Sequence, residues 1–336
     1  MSLILVTGGR RTGTTLLTAI LCSGEQSNPV IGETPLIRKL MSVLQWAQLP
    51  DSMATSDKYA FEDAADLLHF FNGIVGAYVE RLRARLGNPA HIVLKSPEFC
   101  LAIEQLMAAV PKARFAVAVR DPRDQIVSEL ELRRRGDDGR TVLSALPLAD
   151  IPYLVTTLNR YLEPVIAAAR RAPERFLFVR FEDMLTAFPQ TLDKLKAFTG
   201  MTHLRFDPEK DWPRYAAVED FIPNYPSFSP YYGKPLELSR IGRYRDALDA
   251  RSVRLIETGC SGLMDQFGYA RAQMAGGSTP QEQAPSPSNA ANLKTEYAEI
   301  IARMNDLSQS PEAIALLNRQ RAALHKRLKL IGKTAG

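Results

Sequence analysis

Two glycines and two threonines form a short polar segment directly after an apolar run at the N-terminus. The segment reads VTGGRRTGTTLL and follows SLILV. Gly8 and Gly13 have the spacing of a phosphate-binding loop, G-x-x-x-x-G-K-[ST], but Thr14 stands where that signature has lysine. Backbone N–H groups and the dipole at the start of a helix favour negative charge. The segment therefore predicts an anion site, with an ordinary strand-to-helix turn as the alternative.

The cations of this loop are two arginines, Arg10 and Arg11. The sequence shows no obvious acidic strand end that would suit magnesium. ATP hydrolysis, which depends on the lysine and the metal, is therefore the weaker interpretation of the loop.

A second candidate anion site follows the apolar run RFAVAVR. Arg120 ends this run, and Ser128 lies eight residues further on, in a segment whose Pro122 suits the first turn of a helix. A guanidinium with several fixed donors and a hydroxyl could together bind one phosphate. The alternative is that Arg120 pairs with Asp121 or Asp124 and that Ser128 is a surface residue. Two such sites predict a ligand with two separated anionic groups.

Strand and helix signals alternate along the chain and position both sites. Strands are predicted at SLILV and at residues 91–95, 114–120 and 175–181. Helices are predicted near 14–23, 36–48, 61–86, 100–110, 122–135, 149–171 and from Asp183, as a cap, to Phe198, with Gly200 ending the last. This alternation predicts an α/β fold with a parallel sheet and crossover helices. Ligands of such folds bind beyond the C-terminal ends of the strands, where the Gly8–Thr15 loop falls.

The composition changes near the C-terminus. Residues 275–292 are rich in Pro, Ser, Gly and Gln, which is typical of a linker. We therefore predict an α/β domain over residues 1–274, a linker over 275–292 and a C-terminal helical segment over 293–336. The C-terminal helices could pack on the domain, form a homo-oligomer or contact a partner.

The overall composition is that of a soluble globular protein, with 46% hydrophobic and 24% charged residues among 336. The net charge of +5 fits an anionic ligand without requiring nucleic acid as a partner. The three cysteines and four histidines are scattered, which suggests neither a disulfide framework nor a metal site. No apolar run approaches membrane-spanning length, so we expect a cytoplasmic protein.

Four stretches, in family order over about residues 3–250, resemble the sulfotransferases that use 3′-phosphoadenosine 5′-phosphosulfate (PAPS). GGRRTGTTLL resembles their 5′-phosphosulfate loop, and VAVRDPRDQIVS resembles their 3′-phosphate motif, Arg-x-Pro-x-Asp with a serine eight residues after the Arg. FVRFEDMLTAFPQTLDKLKAFTGM resembles the family's Tyr-Glu-Asp segment and the helix after it. SRIGRYRDAL resembles the late G-x-W-[KR] segment, with Tyr244 in place of Trp. The resemblance implies a P-loop-like three-layer α/β fold and sulfuryl transfer without magnesium, with adenosine 3′,5′-bisphosphate (PAP) as the product.

The resemblance also implies a role for each matching residue. The loop residues that would bind the 5′-phosphosulfate are Arg10, Arg11, Thr12, Gly13, Thr14 and Thr15. Arg120 and Ser128 would bind the 3′-phosphate. Phe181 replaces a tyrosine near the adenine and would either stack on the base or pack in the core. Arg240 and Arg243 fall near the loop that closes over the cofactor, with a solvated surface position as the alternative.

Sulfuryl transfer to an alcohol needs a base for the hydroxyl proton and cationic donors. Cytosolic small-molecule members have a Lys-Thr-His stretch, whereas Lys95-Ser96-Pro97 resembles the Lys-x-Pro of carbohydrate and bacterial members, whose base is a glutamate. The resemblance thus implies Glu33 as base, with Glu98 as the fallback, unless Glu33 merely opens the next helix. Lys95 would steady the sulfuryl group or an acceptor oxygen, and Arg11 would neutralise the leaving oxygen. The implied acceptor is a saccharide, a glycolipid or another hydroxyl-bearing small molecule.

Two other functions stay open. A nucleotide or metabolite kinase would need a P-loop lysine and magnesium ligands, which the sequence does not show. A non-catalytic nucleotide-binding module, in which the nucleotide gates the C-terminal helices, would not need Arg11, Lys95 and Glu33 to converge on one cavity.

Overall fold

A parallel four-stranded sheet forms the centre of the protein. The computed structural model describes residues 2–48, 59–135, 151–207, 211 and 237–272. Its sheet has the order β2-β1-β3-β4, and every pairing is parallel. The strands are β1 (Ser2–Gly8), β2 (His91–Lys95), β3 (Arg114–Val119) and β4 (Phe176–Arg180). All four predicted strands are therefore confirmed.

The strand register brings the C-terminal ends of the strands to one edge of the sheet. Val6 lies opposite Lys95, Gly8 lies opposite Ala118, and Val119 lies opposite Arg180. The residues that follow β1, β2, β3 and β4 therefore leave the sheet side by side. These residues include the Gly8–Thr15 loop, Arg120 and Phe181.

Helices cover both faces of this sheet. The eleven helices of the described residues are α1 (Thr14–Cys22), α2 (Pro35–Ala47), α3 (Ala64–Arg85), α4 (Ile103–Ala109), α5 (Pro122–Arg135), α6 (Ile151–Arg171), α7 (Phe181–Thr186), α8 (Phe188–Thr199), α9 (Tyr244–Ala247), α10 (Ala250–Gly259) and α11 (Ser261–Phe267). Short 3-10 helices lie at Pro97–Ala102, Pro173–Arg175 and Leu238–Arg240.

Two hydrophobic cores lie on opposite faces of the sheet, because successive side chains of a strand point to opposite faces. Leu5 of β1 belongs to the core that includes residues of α2, α3, α4, α6 and α10. Its neighbours Ile4 and Val6 belong to the core that includes residues of α1, α7 and α8. The result is the three-layer α/β fold that the sequence predicts.

The helix predicted from an Asp183 cap to Phe198 is in fact two helices. Asp183 lies in the first turn of α7 and does not cap it, since the position before α7 is Arg180. The helix is interrupted at Ala187, and Pro189 lies in the first turn of α8. Proline has no N–H for the preceding turn and clashes with it, which explains the break. Gly200 ends α8 with a left-handed conformation, as predicted.

Residues up to Ala272 form one compact unit. The linker predicted over 275–292 and the helical segment predicted over 293–336 lie outside the described residues and stay predictions, as does the domain boundary at 274.

Candidate active site

The Gly8–Thr15 loop connects β1 to α1, and two of its positions require glycine. Gly8 has φ +144°, and a Cβ there would overlap the carbonyl oxygen of Ala118 in β3. Gly13 has φ +91°, and its Cβ would lie 2.6 Å from Cδ2 of Phe181. Both are left-handed backbone conformations, which residues other than glycine rarely adopt. The loop therefore packs directly against β3 and against Phe181, which follows β4.

The start of α1 has the character of an anion site. The helix begins at Thr14, and no side chain caps it at Gly13. The Thr12 hydroxyl is used inside the loop, where it donates to the carbonyl of Gly9 at 2.7 Å. The first-turn N–H groups of this nine-residue helix thus have no side-chain cap, which suits a phosphate or sulfate oxygen.

Lys95 forms the cationic centre of the site beside this loop. It ends β2 and is 3% exposed. Its Nζ donates to Oγ1 of Thr15 at 3.2 Å and lies 3.4 Å from Oε1 of Glu33. The main-chain N–H of Thr34 donates to the carbonyl of Lys95 at 3.0 Å and fixes the segment that carries Glu33. The structure therefore brings Lys95, Glu33 and Thr15 together.

The two candidate carboxylates differ in their position relative to Lys95. Glu33 precedes α2, lies outside its first turn, and pairs with Lys95. Glu98 is exposed at the start of the Pro97–Ala102 helix, and no ion pair joins it to another described residue. Of the two, Glu33 is the carboxylate adjacent to the cation.

Arg120 is the centre of the second group of residues. It follows β3 and is 4% exposed. Its guanidinium donates to the carbonyls of Arg11 at 3.3 Å and Arg240 at 2.7 Å. Its Nε is buried and has no hydrogen-bond partner among the described residues. Burial lowers the pKa of Arg120, and the carboxylates of Asp124 and Glu182 oppose this effect.

The sequence left open whether Arg120 pairs with Asp121 or Asp124. In the described residues, Asp121 instead receives two hydrogen bonds from the guanidinium of Arg123, at 2.9 and 2.6 Å. Arg123 also donates to Glu257 of α10 at 2.5 Å. The buried Arg120 thus has no ion pair with either aspartate in the part of the chain that the structure describes.

Arg11 connects the two predicted anion sites. Its main chain belongs to the loop, and its Nε donates to Oγ of Ser128 at 3.2 Å. Its φ is +67°, which is uncommon for a residue other than glycine and is often found at functional sites. Gln125 supports the loop from α5, since its Nε2 donates to the carbonyl of Arg10 at 2.6 Å. Sequence reasoning missed Gln125, although it lies within the VAVRDPRDQIVS motif.

Phe181 is 4% exposed and begins α7. The guanidinium carbon of Arg120 lies 4.6 Å from its ring centroid, and that of Arg240 lies 5.8 Å away. The backbone of Gly13, at the end of the loop, packs against the same ring. This environment favours the packing alternative over stacking on a base.

Arg240 and Arg243 lie in a segment that packs on α5. The carbonyl of Arg240 accepts the hydrogen bond from Arg120, and its guanidinium carbon lies 5.8 Å from the centroid of the Phe181 ring. The guanidinium of Arg243 forms a two-point ion pair with Glu131. Neither residue is therefore a simple solvated arginine. Sequence reasoning missed Glu131, for which the motif gave no signal.

Neither a cluster of metal-binding side chains nor a membrane-spanning helix is found within the described ranges. No group of three or more His, Cys, Asp or Glu side chains there is placed to bind a metal ion. No helix in those ranges has the length and apolar character needed to cross a membrane.

The chain belongs to the sulfotransferase family, because the model described as "Sulfotransferase family" matches residues 4–205, which is more than half of its length. This confirms the family resemblance of the sequence motifs. The match ends before the segment that carries Arg240 and Arg243. A comparison with curated proteins found no match.

Several solved structures are similar to the chain. The sulfotransferase domain from the Synechococcus PCC 7002 olefin synthase is 18% identical and has a TM-score of 0.48. The match covers 80% of this chain and 94% of that domain. Sulfotransferase STF9 from Mycobacterium avium is 16% identical and has a TM-score of 0.43, and the match covers 79% of this chain and 76% of STF9. A sulfotransferase from Alicyclobacillus acidocaldarius is 13% identical, with 73% and 99% coverage and a TM-score of 0.38. The family assignment rests on the sequence model and not on these similarities.

Proposed function

We propose that the protein transfers a sulfuryl group from PAPS to the hydroxyl of an acceptor, with Glu33 as the general base. The family match supports sulfuryl transfer. The observation that carries the finer assignment is the contact of Lys95 with both Glu33 and Thr15 at the start of α1. A cation and a carboxylate beside an anion-binding helix start are the groups that this reaction needs.

The donor has two anionic ends, and the described residues fit both. The loop and the uncapped start of α1 suit the 5′-phosphosulfate. Arg120, whose buried Nε has no hydrogen-bond partner among the described residues, suits the 3′-phosphate together with Ser128. PAPS supplies the activated sulfuryl group, and PAP remains after transfer.

Each reacting side chain has a defined part. Glu33, held beside Lys95, would accept the proton of the acceptor hydroxyl. The ammonium of Lys95, oriented by Thr15, stabilises negative charge on the transferring group. Arg11 belongs to the 5′-phosphosulfate loop, and its positive charge would neutralise the oxygen that leaves with the 5′-phosphate when the S–O bond breaks. Because Glu33 and the Lys95-Ser96-Pro97 stretch resemble carbohydrate and bacterial members of the family, we propose a saccharide, a glycolipid or another alcohol as the acceptor.

Calorimetric titration tests the donor assignment. Wild type is titrated with PAP and, separately, with ATP and magnesium, and both titrations are repeated on Arg120→Ala. We expect PAP to bind at least about tenfold more tightly than ATP, which corresponds to about 1.4 kcal/mol. Arg120→Ala should weaken PAP binding by about 100-fold, since a charged hydrogen-bond donor contributes about 1.5–3 kcal/mol.

Ser128→Ala is the milder companion variant, because it removes one hydroxyl and leaves the buried Arg120 in place. Tighter binding of ATP with magnesium would favour a kinase instead. A folded wild type that binds no PAP would overturn the donor assignment. Glu33→Gln separates an enzyme from a binding module: it should bind PAP normally and lose transfer from labelled donor to alcohol acceptors.

A further inference from the structure

A buried carboxylate of α5 is held by main-chain N–H groups of a distant segment. Asp124 is 2% exposed, and its two oxygens accept hydrogen bonds from the N–H groups of Gly242 at 2.6 Å and Tyr244 at 2.9 Å. Burial raises the pKa of Asp124, whereas these two hydrogen bonds and the charge of Arg120 lower it. A buried carboxylate without an ion pair is costly unless its hydrogen bonds are complete. The two N–H groups are therefore an essential part of its environment.

We call residues 240–244 the clasp. The clasp contacts α5 and Arg120, and the guanidinium of Arg120 donates to the carbonyl of Arg240. Arg243 pairs with Glu131, and the ring of Tyr244 lies 4.0 Å from the guanidinium carbon of Arg123. The clasp is thus fixed along its whole length.

The turn of the clasp directs two N–H groups to one carboxylate. Gly242 has φ +77°, a left-handed conformation suited to glycine. Successive N–H groups in such a turn form a concave anion site, which the carboxylate of Asp124 fills. The anion that organises the clasp is therefore a side chain of α5 and not a ligand.

The face of α5 that holds the clasp also carries the predicted 3′-phosphate serine. Asp124, Ser128 and Glu131 follow one another at helical spacings of four and three residues, which places them on one face. Asp124 and Glu131 hold the clasp on either side of Ser128. The clasp in turn provides the shorter of the two hydrogen bonds that orient Arg120.

We propose that Asp124 is a positioning residue of the donor site: it holds the clasp, and the clasp holds the guanidinium of Arg120 beside Arg11, whose Nε donates to Ser128. This inference rests on the proposed function. Loss of the carboxylate should weaken recognition of a 3′-phosphate and leave recognition of a 5′-phosphate intact, because the loop that serves the latter has its own supports.

The test compares two ligands that differ by one phosphate, PAP and adenosine 5′-monophosphate, by calorimetry on wild type and Asp124→Asn. The amide keeps the size of the side chain but can accept only one of the two hydrogen bonds. We expect the preference of wild type for PAP over the monophosphate to fall by about tenfold or more, the loss expected for one hydrogen bond to a charged group. Monophosphate binding should stay within about threefold of wild type.

Asp249→Ala is the matched control. Asp249 also accepts a main-chain hydrogen bond, from Ser252 at the start of α10, but it does not hold the clasp. This variant should lose stability through its missing cap and keep the preference for PAP. A preference that falls equally in both variants would show a general loosening and overturn the inference.

Other outcomes are equally decisive. An Asp124→Asn protein with the wild-type preference, or one that loses both ligands equally, would overturn the inference. If that variant does not fold, Glu131→Gln loosens the clasp from a partly exposed position and should lower the preference by about threefold; an unchanged preference there would also overturn it. A wild type that binds neither ligand would instead refute the proposed function, and the inference with it.

Discussion

Gly13 offers the most direct test of how the loop packs. Alanine at this position would have two costs, because φ is +91° and the new Cβ would lie 2.6 Å from Cδ2 of Phe181 and 3.3 Å from Cε of Met184. The first cost is conformational and the second is steric. Gly13→Ala should therefore destabilise the protein more than an alanine that suffers only one of them.

Gly87 provides the matched control. Its φ of +85° is close to that of Gly13, but no atom lies within 4 Å of a Cβ built there. A left-handed conformation costs a residue with a Cβ about 1–2 kcal/mol, and the reduced freedom of the unfolded chain returns about 0.4–1 kcal/mol. Gly87→Ala should thus cost about 1 kcal/mol. Overpacking adds about 1–3 kcal/mol, so Gly13→Ala should cost about 2–4 kcal/mol.

Urea unfolding of both variants measures this difference. Phe181→Leu in the Gly13→Ala background should recover part of the loss, because a smaller side chain relieves the overlap. If Gly13→Ala costs no more than Gly87→Ala, the ring of Phe181 is not held against the loop. That result would refute the packing interpretation and return stacking on the base to consideration.

Two further predictions concern charge. Lys95→Met should lower the transfer rate by about 100- to 1000-fold. It should change the free energy of unfolding by less than about 1 kcal/mol, because the side chain of Glu33 is 41% exposed and water can solvate it. A rate within threefold of wild type, with an acceptor that wild type uses, would exclude Lys95 from the mechanism. Burial raises the pKa of Glu182 above 4.5, against hydrogen bonds from the N–H of Asp121 and the hydroxyl of Tyr269. The folded state then binds the proton more tightly than the unfolded state. Lowering the pH from 7 towards 4.5 should therefore raise the free energy of unfolding of wild type relative to that of Glu182→Gln. Urea titrations at pH 7 and 5 test this, and the prediction is wrong if the free energy of wild type minus that of the variant is the same or lower at pH 5.

The fold could be predicted because its signals are local. Each strand is a short, mostly apolar run, and each is flanked by a segment with helical periodicity. The break between α7 and α8 was missed, although Pro189 marks it, because the apolar pattern continues through it. Such a pattern reports which face is buried and does not show where the backbone stops following one helix axis.

The candidate site was predictable only in part, for a physical reason. Arg120 and Ser128 could be proposed as a pair because they lie eight residues apart, one at the end of a predicted strand and the other in the next predicted helix. The contact of Arg11 with Ser128 depends on the register of β1 against β3, which places Gly8 opposite Ala118. That register is a tertiary property. The two predicted anion sites therefore looked separate in the sequence, whereas in the structure Arg11 of one contacts Ser128 of the other.

The charges around Arg120 indicate what the site is built to hold. The positive charges of Arg11 and Arg243 lower the pKa of Arg120 further, so the fold keeps like charges close to a buried guanidinium. The carboxylates of Asp124 and Glu182 act in the opposite direction and raise the pKa of Arg120, but burial outweighs them. A fold that needed only packing here would be more stable with apolar side chains of similar volume. We therefore propose that the positive charge of Arg120 serves a ligand that brings negative charge, and that the loop and Arg120 bind the two anionic ends of that ligand.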